Sequence, residues 1–274
     1  MTIGSTGVTV QGLKLIARTA APCAKLAAMV AVTGTGAVIA ANRIAPRGAD
    51  TYGVCDYRDG VRVTAGGTAS LAHNTIVDFQ DHGVIADGAG AQVRSSFDAI
   101  SFLHATVTGS FDVSTAAGIQ VKNGASGRVT SSTITGRVPT GPNSLVLGQG
   151  IVAGAGANGF RIAGVTIRHA DQMVFLGGSS SAVVQNSHFI GGTFGVFLGA
   201  QTGSTISGNK IRVTQKAIFL ESLSTGNTVT GNDANGPWVA DCTDLTGNSA
   251  ANVQNTWTGD IGDAAPAGIC TPPA

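Results

Sequence analysis

The chain has 274 residues, 43% of them hydrophobic and only 11% charged, with 40 glycines and a net charge of +1. Nothing in that balance points to an electrostatic nucleic-acid binder, and no nucleic-acid partner is expected. The longest apolar stretch, Leu26 to Val32, is too short to span a bilayer, and a chain rich in Val, Ile, Thr, Ser, Asn and Gly favours short strands and tight turns over helices.

Along the chain one short pattern recurs: apolar-x-x-Asn-x-apolar, a turn, then Gly-apolar-x-apolar. Leu71, Asn74 and Ile76 followed by Val84 and Ala86 form one copy; Ile206, Asn209 and Ile211 followed by Ile218 and Leu220 form another. The first apolar position falls at Val10, Ile39, Leu71, Val93, Val129, Ile162, Val184, Ile206 and Val229, with a core period of about 22. The copy starting at Val93 is the least regular. The second apolar position falls at Leu15, Ile44, Ile76, Ile134, Ile167, Phe189 and Ile211. Longer intervals carry insertions at about 45–58, 103–117 and 137–149, all ahead of the same strand. A fixed period of this length predicts a solenoid whose coils bury their apolar side chains only by stacking. Asn42, Asn74, Asn209 and Asn232, with Ser132 and Ser187 at equivalent places, predict a polar ladder at one turn.

Period-two alternation then divides the strand after each insertion into inward and outward residues. With Val30, Val61, Val84, Ile119, Ile151, Val174, Val196 and Ile218 inward, one outward column reads Ala31, Arg62, Ile85, Gln120, Val152, Phe175, Phe197, Phe219. A second reads Thr33, Thr64, Asp87, Lys122, Gly154, Gly177, Gly199, Glu221. Phe175, Phe197 and Phe219, with Phe194 nearby, predict an exposed apolar strip that a ligand, a tail or a neighbouring chain of a homo-oligomer covers.

The pattern from Val8 to Asp233 resembles the right-handed parallel β-helix of the pectate-lyase-like superfamily, with the short coils of its parallel β-helix repeat members. The resemblance implies an all-β, single solenoid of about nine coils over residues 1–235, with a C-terminal tail or cap over 236–274. It does not decide function, because the superfamily holds polysaccharide lyases, epimerases, glycoside hydrolases, tailspikes and adhesins. The ending around Asn255-Thr256-Trp257 and Pro266-Ala267-Gly268-Ile269-Cys270 looks like the tail of secreted bacterial members. The chain opens almost directly on a coil at Val8 with no capping segment before it, so a further N-terminal segment or a neighbour is expected to cover that end. No secretory leader is read at the start, and secretion would require one already removed.

The four cysteines fit two disulfides. Cys23 and Cys55 lie in what the period makes adjacent coils, while Cys242 and Cys270 bracket the tail, and disulfides imply an extracellular or periplasmic setting.

Candidate chemistry gathers on the polar half of the outward face. Arg58-Asp59 and Asp81-His82 occupy the turns before neighbouring strands, and with Arg62, Asp87 and Lys122 they converge on one patch. Asp59 or Asp87 is the expected general base and His82 an acid or base, with Arg62 or Lys122 neutralising a carboxylate or developing negative charge. Gln120, Phe175, Phe197 and Phe219 are the expected substrate-binding residues; His169 and His104 are read as surface histidines. The superfamily's lyases implied by the resemblance often neutralise a uronate carboxylate with calcium held by aspartates, for which Asp59, Asp81 and Asp87 are the available donors; no organic cofactor is expected. Signatures of those enzymes are missing, including a Trp-Ile-Asp-His-like run, Arg-x-Pro-x-x-Arg, Gly-Asp-Asp and Asp-x-Asp. Three functions stay open: action on or binding of a polysaccharide, a non-catalytic structural or adhesive helix, and an isomerase or cyclase acting on an apolar small molecule along the Phe strip.

Overall fold

The computed structural model describes residues 1–16, 27–45, 58–79, 81–102, 116–136, 148–178, 181–234 and 241–273. Cys23, Cys55, His104 and most of the three long insertions lie outside the described residues. Every described strand pairs in parallel with its counterpart one coil away, forming sheets of 11, 10 and 9 strands. The chain is therefore a parallel β-helix. No helix among the described residues is long and apolar enough to cross a membrane.

The apolar columns read from the sequence become the core. Val30, Val61, Val84, Ile119, Ile151, Val174, Val196 and Ile218 line the first sheet and are fully buried. Ile44, Ile76, Ile134, Ile167, Phe189 and Ile211 line the third, and Ile100 completes the column between Ile76 and Ile134. Each such side chain contributes about 1.5–3 kcal/mol on leaving water, and each obtains that contribution only from the coils above and below.

One register differs from expectation. Ser95, two residues after Val93, pairs with Leu71 and Val129 in the second sheet, while Val93 pairs with Ala69 and Gly127. A serine can occupy the inward position because its hydroxyl donates to Asp98 Oδ2 at 2.6 Å within the same coil.

The turn between second and third sheets carries the polar ladder. Asn42 N and Nδ2 donate to Asn74 Oδ1 at 3.1 Å, and Asn74 N and Nδ2 to Asp98 Oδ1 at 2.7 and 2.9 Å. Asp98 N then donates to Ser132 Oγ. Further on, Ser187 N donates to Asn209 Oδ1, Asn209 to Asn232, and Asn232 to Asp260. Burial pushes the carboxyls of Asp98 and Asp260 above the usual range against these hydrogen bonds.

Tight packing marks the entry to the first sheet. Gly60, Gly83, Gly118, Gly150 and Gly195 recur at the same coil position. A Cβ on Gly118 would lie 2.6 Å from both Gly150 O and Ile134 Cγ2. Glycine lets the coils close here, so the next residue can start a new inward column.

At the far end, Cys242–Asp244 joins the first sheet, Thr256–Thr258 the second and Ala264–Ala265 the first again. Residues 241–273, read as tail, thus continue the strand order. A Cys242–Cys270 disulfide with Cα atoms 6.3 Å apart ties this segment down. At the near end, Thr2–Ile3 already pairs with Ala31 and Val32, ahead of the coil at Val8.

Candidate functional site

The outward face of the first sheet has the predicted columns. Arg62 pairs with Ile85, which pairs with Gln120, then Val152, Phe175, Phe197 and Phe219 in single steps. Thr64, Asp87 and Lys122 are adjacent in the next column. A third column holds Asp59, His82, Ala117, Gln149, Gln172, Phe194 and Lys216.

Asp59 has a different setting from the solvent-facing base expected of it. It is 0% exposed, and both carboxylate oxygens are engaged. Oδ1 lies 2.7 Å from His82 Nδ1, and Oδ2 accepts from Arg62 Nε at 2.6 Å and Nη2 at 2.5 Å. The strand pairing that sets Asp59 beside His82 produces the first contact, and the three-residue spacing along the strand end produces the second. An aspartate held this way does not meet substrate. It orients the imidazole through the Nδ1 contact and leaves Nε2 outside that contact.

Asp87 sits one column away. Its Oδ1 accepts from Asn123 Nδ2 at 2.8 Å, and its Oδ2 lies 3.8 Å from both Arg62 Nη1 and Lys122 Nζ. Arg62 thus bridges the two aspartates, and Lys122 stands opposite it. Arg58 Nε holds Asp81 Oδ2 at 2.5 Å, and that carboxylate raises the guanidinium's pKa further. The structure therefore brings Asp59, Arg62, His82, Asp87 and Lys122 into one chain of contacts. His169 is exposed on a turn elsewhere.

Asp59, Asp81 and His82 each offer a ligand atom, all within 4.8 Å of one another. As a calcium site they fit poorly. Both Asp59 oxygens are occupied, Asp81 is held by Arg58, and two guanidinium charges would oppose a divalent cation. Those donors already hold one another in ion pairs and hydrogen bonds.

The aromatic half is a strip of tilted rings on successive coils. Phe175 and Phe197 have ring centroids 5.5 Å apart, Phe197 and Phe219 4.9 Å, and Phe194 meets Phe197 edge-on at 5.9 Å. Lys216 Nζ lies 4.1 Å from the Phe219 centroid, a cation–π contact. Between the halves the face is not open as expected: Ile85 is 0% and Val152 4% exposed although both point outward from the sheet. Gln120, between them, has a buried Oε1 with no hydrogen-bond partner among the described residues. Gln149 Nε2 donates to Gln172 Oε1 at 2.6 Å beside them, a pair the sequence reading missed because neither residue lies in the two columns it followed.

No curated protein matches the chain. Residues 59–256, well over half of it, match the family described as right handed beta helix region. Parallel pairing in all three sheets and that match together assign the chain to the right-handed β-helix family.

Proposed function

We propose that this protein acts on an acidic polysaccharide across the outer face of its first sheet, with His82 as the proton-transfer group. The observation that carries this reading is the buried Asp59 carboxylate bonded to His82 Nδ1. His82 Nε2 removes the proton next to a uronate carboxylate while Arg62 and Lys122 offset the charge that develops there. The electron pair of the broken C–H bond then forms a C=C bond as the neighbouring C–O bond breaks and the departing oxygen takes a proton from the His82 imidazolium, or the carbanion is reprotonated by water on the opposite face while the imidazolium returns its proton to solvent. The first outcome is a lyase and the second an epimerase. Gln120 Oε1, without a partner among the described residues, supplies an acceptor, and the Phe strip supplies an aromatic surface further along the same face. The Cys242–Cys270 disulfide supports an extracellular or periplasmic location.

The test is incubation with polygalacturonate and alginate, following the ultraviolet absorbance of unsaturated product and deuterium uptake from heavy water. His82→Ala should lower either signal about 100-fold or more, with circular dichroism unchanged. Absence of both signals and of glycan binding in the wild type would remove this reading.

The burial of Ile85 and Val152 favours a second one, in which the face is closed and the Phe strip receives an apolar small molecule or a second copy of the chain. Phe197→Asp would then abolish turnover of such a molecule, or change the sedimentation mass, without affecting glycans.

A further inference from the structure

A separate row of charge lies on the second sheet. Arg94 pairs with Arg128, and Arg128 with Arg161, so three exposed guanidiniums stand on successive coils. Parallel strands set neighbouring members about 4.8 Å apart. None of the three forms an ion pair with another described residue, and the outward positions of the second sheet carry no Asp or Glu. Arg58, Arg62 and Arg212, by contrast, sit against carboxylates.

The row borders a dish of about 360 Å³. Gln92, Ser126 and Gly159 occupy the adjoining outward positions, and Arg94 and Arg128 form the charged side. The small residues leave room above the sheet. Gly127 is required for a different reason: a Cβ there would lie 2.8 Å from Phe160 Cε2 in the core. The charge stops at both ends, because Ser70 precedes Arg94 in the column and Val183 follows Arg161. A row three cations long, closed by neutral residues, matches a short ligand better than a polymer that would run on along the helix.

We propose that this dish binds a small multivalent oxyanion, with two or more phosphate or carboxylate groups each held by one or two arginines. Guanidinium groups present paired N–H donors that match the oxygen spacing of either group, and bound anions cancel the repulsion between stacked like charges. The site lies on a different sheet from His82 and does not depend on the function proposed above.

The probes are inorganic pyrophosphate, citrate and orthophosphate, titrated calorimetrically into the full chain at low ionic strength. Pyrophosphate or citrate should bind at least ten-fold tighter than orthophosphate, and their order separates a phosphate from a carboxylate site. Arg128→Gln removes the central cation at an exposed position and should weaken binding at least ten-fold. His82→Ala should leave it unchanged. Pyrophosphate should also raise the melting temperature of the wild type and leave that of Arg128→Gln unmoved. Equal affinity of Arg128→Gln and wild type, or no binding of any probe, would overturn the assignment. So would Arg128-dependent binding of polygalacturonate or DNA without binding of the small anions.

Discussion

Replacing Asp98 with Asn should stabilise the protein, and more so at neutral than at acid pH. Asp98 is 1% exposed in the middle of the polar ladder. Its Oδ1 accepts two bonds from Asn74, and its Oδ2 one from Ser95 Oγ. An amide keeps the first two and lets the serine hydroxyl reverse its role. It also gains a donor. Elsewhere in the ladder Asn74 Nδ2 donates to Ile39 O at 2.8 Å, and Asn209 Nδ2 to Val184 O at 3.0 Å. The equivalent acceptor for residue 98 is Leu71 O, which a carboxylate cannot reach with a proton. One added buried hydrogen bond is worth about 1 kcal/mol, and removing an ionised buried carboxylate adds to it. A total of about 1–2 kcal/mol corresponds to a melting temperature roughly 2–6 °C higher.

The pH dependence follows from the same burial. The folded chain holds a proton on Asp98 more tightly than the unfolded chain does. The ionised group therefore costs nothing below the unfolded value of about 3.9, and its cost grows as pH rises through the higher folded value. The advantage of Asp98→Asn over wild type should shrink between pH 7 and pH 4 in parallel thermal melts. A variant that melts no higher than wild type at pH 7, or an advantage independent of pH, would refute the argument.

Asp59→Asn leaves Arg62 with only its 3.8 Å contact to Asp87 and should cost about 3 kcal/mol by denaturant titration, while lowering any His82-dependent activity. Gly118→Ala forces a methyl against Gly150 O and Ile134, and should lower stability by about 1–3 kcal/mol in the same titration. Cys242→Ser opens a link across 28 residues, and should cost about 3–4 kcal/mol, matched by wild type under reducing conditions.

Most of the helix was legible because its inward residues are apolar and its coils repeat. The columns from Ala31 to Phe219 follow from period-two alternation alone, and the structure keeps their register. The second sheet misled at one coil because two residues compete there. Val93 is apolar and buried, so the pattern selects it, yet Ser95 occupies the column by virtue of a hydroxyl bond to Asp98. That two-residue slip also hid the arginine row. Counted from Val93, Arg94 follows the inward position; counted from Ser95, it precedes it, as Arg128 precedes Val129 and Arg161 precedes Ile162. The setting of Asp59 was hidden for another reason. An Arg-Asp pair at a turn reads as solvated charge, and only the pairing of Asp59 with His82 across coils makes it an interior group.

Uninterrupted coils have an evolutionary consequence. From Val174 to Val196 to Ile218 the chain advances one turn every 22 residues with no insertion. Val183 and Thr205 are partners at equivalent points of successive turns, so excising residues 183–204 joins Ala182 to Thr205 at a matching place. Phe175 would then stand beside Phe219, and the strip would lose Phe194 and Phe197. Gene duplication or slippage in whole turns therefore changes the reach of this face without redesigning a core, so that length itself becomes a heritable trait of the molecule.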